Sequence, residues 1–276
     1  MSSYTHKILN YNKGIFDKVV DVTYIITMDD SFERHKNIFN ELEKHHPTKE
    51  VIIIYNKGFK NIKKSDNCGE IDISYKDLTY TIMYIFSISE NKNNILILED
   101  DYIFNSKIRS TDIDSITNFF MKKKPNIYSL GSVNILSSPL PFCHKRLYIK
   151  GGTHAMIYSK IGRSILQKQF ETCKDITQDI DTLTCFQSKT YGYYKNIYAQ
   201  TFSRTDNRDN WGKHISYMST STIVRCMIII INIFEMDMKE NIHNKFDNLN
   251  SCFLMLHRSL ILFVIYVFAK FAVFNV

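Results

Sequence analysis

The sequence lacks several patterns that would assign a function at once. It contains no CxxC pair, no GxGxxG or GxxxxGK[ST] stretch, no Asn-x-Ser/Thr sequon and no internal repeat. The missing motifs exclude zinc-finger, Rossmann dehydrogenase and P-loop assignments, because each of these sites depends on its motif. Only 9 glycines and 4 prolines occur in 276 residues, and no Pro/Gly-rich linker divides the chain. One large α/β domain, with or without an appendage, is therefore expected.

Cysteine usage, the first residues and the net charge bear on compartment and partners. The six cysteines show no metal-ligand spacing, and the N-terminal segment lacks the long apolar region of a signal peptide. These features predict free thiols and a cytoplasmic catalytic domain. The net charge of +7 suits an anionic small molecule, a phosphorylated donor or an acidic membrane surface. Nucleic acid is not expected as a partner.

The C-terminal region is strongly apolar and is assigned as a separate helical segment, residues 216–276, following a main domain at residues 1–215. Its uninterrupted apolar run, 260–269, would span about 15 Å as a helix, half of a bilayer's hydrocarbon core. A longer span would include Arg258 and Lys270, which would have to extend to the lipid headgroups. A membrane-associated tail and a buried terminal helix are both compatible with this pattern.

The first half of the chain alternates between strand and helix patterns. The segment "VTYIIT", residues 22–27, predicts a strand, and an apolar stripe after Asp30 or Ser31 predicts a helix. The segment "EVIIIYN", residues 50–56, predicts a second strand. Strand, helix and strand in this order form a βαβ unit, which requires a parallel sheet.

The buried strand "NILILED", residues 94–100, leads into three consecutive carboxylates, Glu99, Asp100 and Asp101. Such acids could form a solvated turn or a helix cap. They could equally bind Mg²⁺ or Mn²⁺, which need only one or two protein carboxylates when phosphate oxygens and water complete the shell. Glu99 and Asp101 should point to one side and Asp100 to the other. The carboxyl end of a strand is also where open α/β sheets bind ligands.

Three later segments contain candidate ligand contacts. The segment "RLYIKGGTHAMIYS" predicts two short strands around a Gly151-Gly152 turn, whose backbone and His154 could contact a substrate. The segment "DITQDIDT" contributes Asp179 and Asp181, which could cap a helix or act as a general base. The spacing of these two acids does not choose between the roles. The polar segment 203–211 could be a turn-rich loop or a loop that closes over a substrate.

The order of these segments resembles glycosyltransferase family 25, the LPS and collagen galactosyltransferase-like enzymes, especially the short members encoded by large DNA viruses. The resemblance covers about residues 22–211, and its segments are "YIITMDDSFERHKNIF", "DLTYTIMYIF", "ILILEDDYIF", "GGTHAMIYSKIG", "DIDTLTCF" and "QTFSRTDNRDNW". It implies a GT-A-like (Rossmann-like) fold with a mixed, mainly parallel sheet flanked by helices. It also implies an inverting, metal-dependent hexosyltransferase that transfers galactose or glucose.

The resemblance also implies roles for individual residues. Asp101 would be the main ligand of Mn²⁺ (or Mg²⁺), and Glu99 would contact the metal or the donor ribose. Thr27, Arg34 and Asp100 join the donor-binding set. Asp181 is preferred over Asp179 as the base. The acceptor or loop contacts are Gly152, Thr153, His154, Asp206, Asn207 and Trp211.

The partners implied are a nucleotide-sugar donor, a UDP-sugar by default, and a glycan, protein or lipid-linked acceptor. The C-terminal tail is a further candidate contact with a membrane. Two alternatives to the transferase remain open at this point. One is a non-catalytic GT-A-like protein that binds a nucleotide-sugar or a partner, and the other is a metal-dependent phosphohydrolase or nuclease.

Overall fold

The structure is a computed structural model that describes residues 3–141, 143–174, 177–201 and 229–274. Within these ranges the chain alternates between strands and helices, as the sequence predicts. In chain order the elements are β1 (Tyr4–Asn10), β2 (Val22–Met28), α1 (Phe32–Lys44), β3 (Glu50–Asn56), β4 (Lys64–Asp66), β5 (Gly69–Ile71), α2 (Ser74–Ile88), β6 (Asn94–Glu99), β7 (Tyr102–Phe104), α3 (Ser110–Lys123), β8 (Ile127–Ser137), β9 (His144–Ser159), α4 (Lys160–Phe170), α5 (Ile180–Leu183), β10 (Thr190–Tyr193), β11 (Tyr198–Gln200) and α6 (Ile242–Phe274).

A seven-stranded mixed sheet forms the centre of the molecule, in the order β1-β3-β2-β6-β9-β10-β8. Strands β3 and β6 run parallel to β2 on its two sides, whereas β1 is antiparallel to β3 and β9 is antiparallel to β6. Since β8 and β10 are both antiparallel to β9, five of the seven strands run in the same direction. This mainly parallel sheet with flanking helices is consistent with the predicted GT-A-like fold.

Two apolar clusters cover the two faces of the sheet. Alternate residues of β2 and β3 belong to opposite clusters: Ile25 and Ile53 lie in one, and Tyr24 and Ile54 in the other. All four side chains are 2% exposed or less. Burial on both faces explains why these strands read as continuous apolar runs in the sequence.

Several predicted elements are confirmed. The predicted βαβ unit consists of β2, α1 and β3. The two strands predicted around Gly151-Gly152 are wrong, because residues 144–159 form the single strand β9. Gly152 has a φ of +78° and lies where the pairing of β8 with β9 shifts register. The glycines therefore accommodate an irregularity within a strand instead of a hairpin turn.

The last helix, α6, has an inner and an outer half. The inner half packs on the sheet through Ile242, Phe246 and Leu249, which are at most 3% exposed. Residues 260–266 of the outer half are exposed, so the prediction of a buried terminal helix holds for the inner half alone. The boundary proposed between residues 215 and 216 lies outside the described residues.

The prediction of free thiols is wrong for two cysteines. Cys68 and Cys173 form a disulfide, with their Cα atoms 5.0 Å apart. Because the two residues are 105 positions apart in the sequence, local spacing gave no sign of the pair. Cys143, Cys185 and Cys252 are free.

Candidate functional site

The carboxyl ends of the three central parallel strands lie together at one edge of the sheet. Ile26 of β2 is paired with Glu99 of β6, and Met28 of β2 is paired with Asn56 of β3. Strand β9 reaches the same edge, because its Ala155 is paired with Leu98. The acidic residues after β6 and the Gly152–His154 segment of β9 are consequently neighbours.

Asp100 is enclosed by two of the residues that the sequence predicted at the donor site. It is 4% exposed and accepts hydrogen bonds from Thr27 Oγ1, at 2.8 Å, and from Arg34 Nη1. The Nδ2 of Asn37 donates to the Asp100 carbonyl at 3.0 Å and to the Tyr102 carbonyl at 3.2 Å. These bonds fix the turn that follows β6.

Glu99 and Asp101 form the electrostatically unfavourable part of the site. Burial, followed by repulsion from Asp101, Asp181 and Asp100, raises the pKa of Glu99 well above its usual range. Burial and the charge of Asp100 raise the pKa of Asp101 to about 7, although Arg34 opposes the shift. Arg34 Nη1 lies 4.0 Å from Asp101 Oδ2. A cation or a proton at this position would relieve the repulsion.

Asp179 and Asp181 have different environments. Asp179 is the N-cap of α5: its Oδ1 accepts from the Asp181 backbone N–H at 3.2 Å and its Oδ2 accepts from Thr182 Oγ1 at 2.6 Å. Asp181 Oδ1, in contrast, is buried without a hydrogen-bond partner among the described residues. Both oxygens of Asp179 are thus used within α5, whereas Asp181 retains an oxygen for a ligand.

Burial and the charge of Asp179 raise the pKa of Asp181 to about 6. Lys150, the Thr153 hydroxyl and the Gly152 N–H oppose that shift. A carboxyl group with a pKa in this range can both accept and release a proton near neutral pH.

The Gly152–His154 segment contributes further polar groups beside Asp181. His154 is fully buried; its Nε2 lies 3.4 Å from the Tyr198 carbonyl, and its Nδ1 has no partner in the described part of the chain. A Cβ atom at Gly152 would lie 3.1 Å from His154 Nδ1 and 3.3 Å from Gln200 Nε2. The small residue at position 152 therefore leaves room beside two polar side-chain atoms.

Two site residues were not found from the sequence. Lys150 is 3% exposed, and its Nζ donates to Thr184 Oγ1 at 2.7 Å, near Asp181. The hydroxyl of Tyr158 is buried without a partner among the described residues. Burial raises the pKa of Tyr158, and the charges of Asp181 and Glu99 raise it further. Both residues lie in β9 and look like ordinary strand residues in the sequence. Their proximity to Asp181 depends on the packing of α5 against β9, which the sequence does not show.

The metal prediction is untested, but the residues fit a divalent cation. Carboxylate oxygens are the ligands that Mg²⁺ and Mn²⁺ prefer. Asp101 Oδ1 is buried and lacks a hydrogen-bond partner among the residues described, so one oxygen is available at the predicted ligand. In those same ranges no group of three or more His, Cys, Asp or Glu side chains could hold a metal ion by itself. Other oxygens would have to come from a bound phosphate or water.

The structure brings most of the predicted site residues to one edge of the sheet. Thr27, Arg34 and Asp100 lie on one side of Asp101, and Gly152, Thr153, His154 and Asp181 lie near Glu99. Three predicted residues, Asp206, Asn207 and Trp211, lie outside the described residues.

No protein-family model matches the sequence, and no curated protein matches it significantly. Among solved structures, the chain is similar to a glycosyltransferase involved in the glycosylation of the major capsid of PBCV-1. That match has 9% identity and a TM-score of 0.38, and covers 75% of this chain and 98% of that one. A second similar structure is A197 from STIV, with 7% identity and a TM-score of 0.34, covering 67% of this chain and 86% of that one. Similarity at this level establishes neither a family nor an activity.

Proposed function

We propose that the protein is a metal-dependent glycosyltransferase that moves a sugar from a nucleotide-diphosphate donor to a hydroxyl acceptor. The observation that carries the proposal is the division of one acidic edge into two parts. Glu99 and Asp101 form a part that needs positive charge, and Asp181 forms a part with a free carboxylate oxygen beside polar groups. A transferase needs both parts, since it binds a charged donor and also activates an acceptor.

On the donor side, Asp101 would hold Mn²⁺ or Mg²⁺ together with Glu99. When bound, the metal supplies positive charge that stabilises the departing diphosphate. Arg34 contributes a second positive charge. Burial lowers its pKa, but Asp100 and Asp101 raise it by more, so the guanidinium remains charged. Thr27 and Arg34 would act on the donor through Asp100, whose carboxylate they already hold.

On the acceptor side, Asp181 would accept the proton of the attacking hydroxyl. That oxygen would form a bond to the anomeric carbon as the bond from this carbon to the diphosphate breaks, with inversion of configuration. The Thr153 hydroxyl and the Gly152 N–H would hold the Asp181 carboxylate in place, and His154 would contact the acceptor through its unused Nδ1. Asp179 would instead keep its structural role as the cap of α5.

The identity of the substrates is also a proposal. A UDP-hexose, either UDP-galactose or UDP-glucose, is the donor that the sequence resemblance favours. The acceptor would be a glycan, a protein or a lipid-linked saccharide, and the catalytic domain would lie in the cytoplasm, of a virus-infected cell if the viral resemblance holds.

The proposal can be tested by incubating the full chain with a panel of nucleotide-sugars and measuring nucleotide release with and without Mn²⁺. We expect one donor to be consumed in a metal-dependent manner, and Asp101→Asn to abolish that release. Asp114→Asn is the matched control, because Asp114 is exposed on α3 and its ion pair to Lys18 is long at 3.8 Å. Mn²⁺ binding, measured by electron paramagnetic resonance, should weaken in Asp101→Asn and remain unchanged in Asp114→Asn.

Three results would contradict the proposal. Release of inorganic phosphate without sugar transfer would indicate a phosphohydrolase. Donor binding without turnover, in the presence of a wide acceptor panel, would indicate a non-catalytic binding protein. Equal Mn²⁺ binding by wild type and Asp101→Asn would show that Asp101 does not bind the metal.

A further inference from the structure

The outer half of α6, the part that follows Arg258, contains a segment that is apolar on every side. Seven consecutive residues, 260–266, are large and apolar, and each is between 43% and 66% exposed. Successive residues of an α-helix differ by about 100° around its axis, so these seven cover every direction nearly twice. This segment therefore has no polar face, unlike the surface helix of an ordinary globular protein.

The inner half of α6 is, in contrast, attached firmly to the sheet. Asn250 accepts a hydrogen bond from the Asn134 backbone N–H at 2.7 Å and donates to the Ser132 carbonyl at 3.1 Å. Asp247 accepts a hydrogen bond from Asn196 Nδ2 at 3.1 Å. Phe246 packs against His154, with ring centroids 5.7 Å apart. The outer half thus projects from a fixed base. Only 11% of the most apolar 18-residue stretch of the helix is buried.

The distribution of exposed apolar surface indicates what surrounds the outer half of α6. A second protein, or a second copy in a coiled coil, would cover one stripe of the helix and leave the remaining apolar surface in water. Bilayer hydrocarbon contacts a helix on all sides and accepts a helix whose backbone hydrogen bonds are internal. The helical residues beyond Arg258, 259–274, would measure about 24 Å, which is most of the roughly 30 Å hydrocarbon thickness.

Positive charge lies where α6 leaves the domain. Arg258 Nη2 donates to the Pro139 carbonyl at 3.3 Å, which places the guanidinium beside the loop between β8 and β9. Arg146, in β9 just after this loop, is exposed, and its backbone N–H donates to Ser138 Oγ at 2.9 Å. Leu140, within the loop, is 61% exposed. Cations beside an exposed apolar side chain suit the headgroup level of an anionic membrane.

We propose that α6 beyond Arg258 is inserted in a lipid bilayer, with Arg258 and Arg146 at the headgroups and Leu140 against the interface. The proposal concerns the location of the protein and does not depend on the reaction that it catalyses. It also determines which side of the domain faces the membrane, namely the side that carries the β8–β9 loop.

The test is flotation of the full-length protein with vesicles of phosphatidylcholine containing a minority of phosphatidylserine, followed by alkaline carbonate extraction. We expect the wild type to float and to resist extraction. Val264→Arg places a charge within the exposed apolar segment and should reduce the floating fraction about tenfold. Ser251→Arg is the matched control, because Ser251 is exposed on the same helix before Arg258 and should tolerate the charge. Thermal unfolding of the variants in detergent checks that both retain the fold.

Several results would overturn the proposal. The wild type could remain in the aqueous fraction and form an oligomer that Val264→Arg dissociates, which would make a second copy the occupant. Salt or carbonate could remove the floating protein, which would mean surface adsorption without insertion. Equal flotation of Val264→Arg and wild type would show that membrane binding does not depend on this helix.

Discussion

Asp181→Asn should make the metal-free protein more stable while abolishing sugar transfer. Burial and neighbouring charge raise the pKa of Asp181 from its ordinary 3.8 to about 6. The folded state therefore binds a proton between these two values while the unfolded chain does not. This contribution to stability is present at low pH and is lost as the pH rises through about 6. Near pH 7 the native carboxylate is consequently a cost, which an uncharged amide removes.

The size of the gain follows from the shift in pKa. A rise in pKa from 3.8 to about 6 corresponds to about 3 kcal/mol. Asp181 is partly exposed, so solvent screening reduces this gain to about half. In a chain of this length, that gain should raise the melting temperature by about 4 °C. The asparagine carbonyl can still accept from Thr153 or Gly152, so most of the local hydrogen bonding should survive.

The measurement is urea unfolding of wild type and Asp181→Asn in EDTA, near pH 7 and near pH 4. The variant should be more stable at the higher pH and equal to wild type at the lower one. Asp114→Asn is the control. Asp114 is exposed on α3, so removal of its charge should give no such pH-dependent gain. The reasoning is refuted if Asp181→Asn is no more stable than wild type near pH 7, or if its gain is the same at both pH values.

Three further predictions concern the packing and charges that hold the site together. Gly131→Ala should destabilise the fold by about 3 kcal/mol in urea unfolding, because its Cβ would lie 2.0 Å from the Tyr198 carbonyl oxygen and 2.7 Å from His154 Nε2; an unchanged midpoint would contradict this packing. His154 is buried as a neutral ring with its pKa lowered from 6.5 to about 3, so stability should fall as the pH drops below about 6.5. His154→Gln should flatten that slope by about 1 kcal/mol per pH unit, and an identical slope would argue against a neutral buried ring. Lys64→Ala should cost about 3 kcal/mol, since it leaves the Asp77 carboxylate buried without its cation, whereas Lys64→Ala with Asp77→Ala should recover part of that loss in the same assay.

The elements whose patterns are local were predictable from the sequence. The strands β2, β3 and β6 have continuous apolar runs because both of their faces are buried, and such runs are easily read. The edge strand β1 was missed because most of its residues are exposed and polar. The strand β9 was misread as two strands because a Gly-Gly pair resembles a turn, and only its cross-strand partners show that the chain continues straight.

The candidate site was predictable to a similar extent. Glu99 ends a strand and Asp100 and Asp101 follow it, so the topology alone places them at a ligand-binding edge. The sequence could not show that Asp100 is held by Thr27 and Arg34, because that contact joins residues 66 and 73 positions apart. Nor could it separate Asp179 from Asp181, since the difference is whether each carboxylate already has hydrogen-bond partners.

The unbroken course of α6 has a consequence for the reach of the site. The helix begins close to the acidic edge, since Lys239, three residues before its start, donates to Asn37 at 3.3 Å and lowers the pKa of Asp101. From Ile242 to Arg258 the rise along the helix axis is about 24 Å. If Arg258 lies at the headgroups, the site is held at most that far above them, with no hinge to shorten the distance. A lipid-linked glycan that extends that far from the headgroups would therefore be long enough to reach the site.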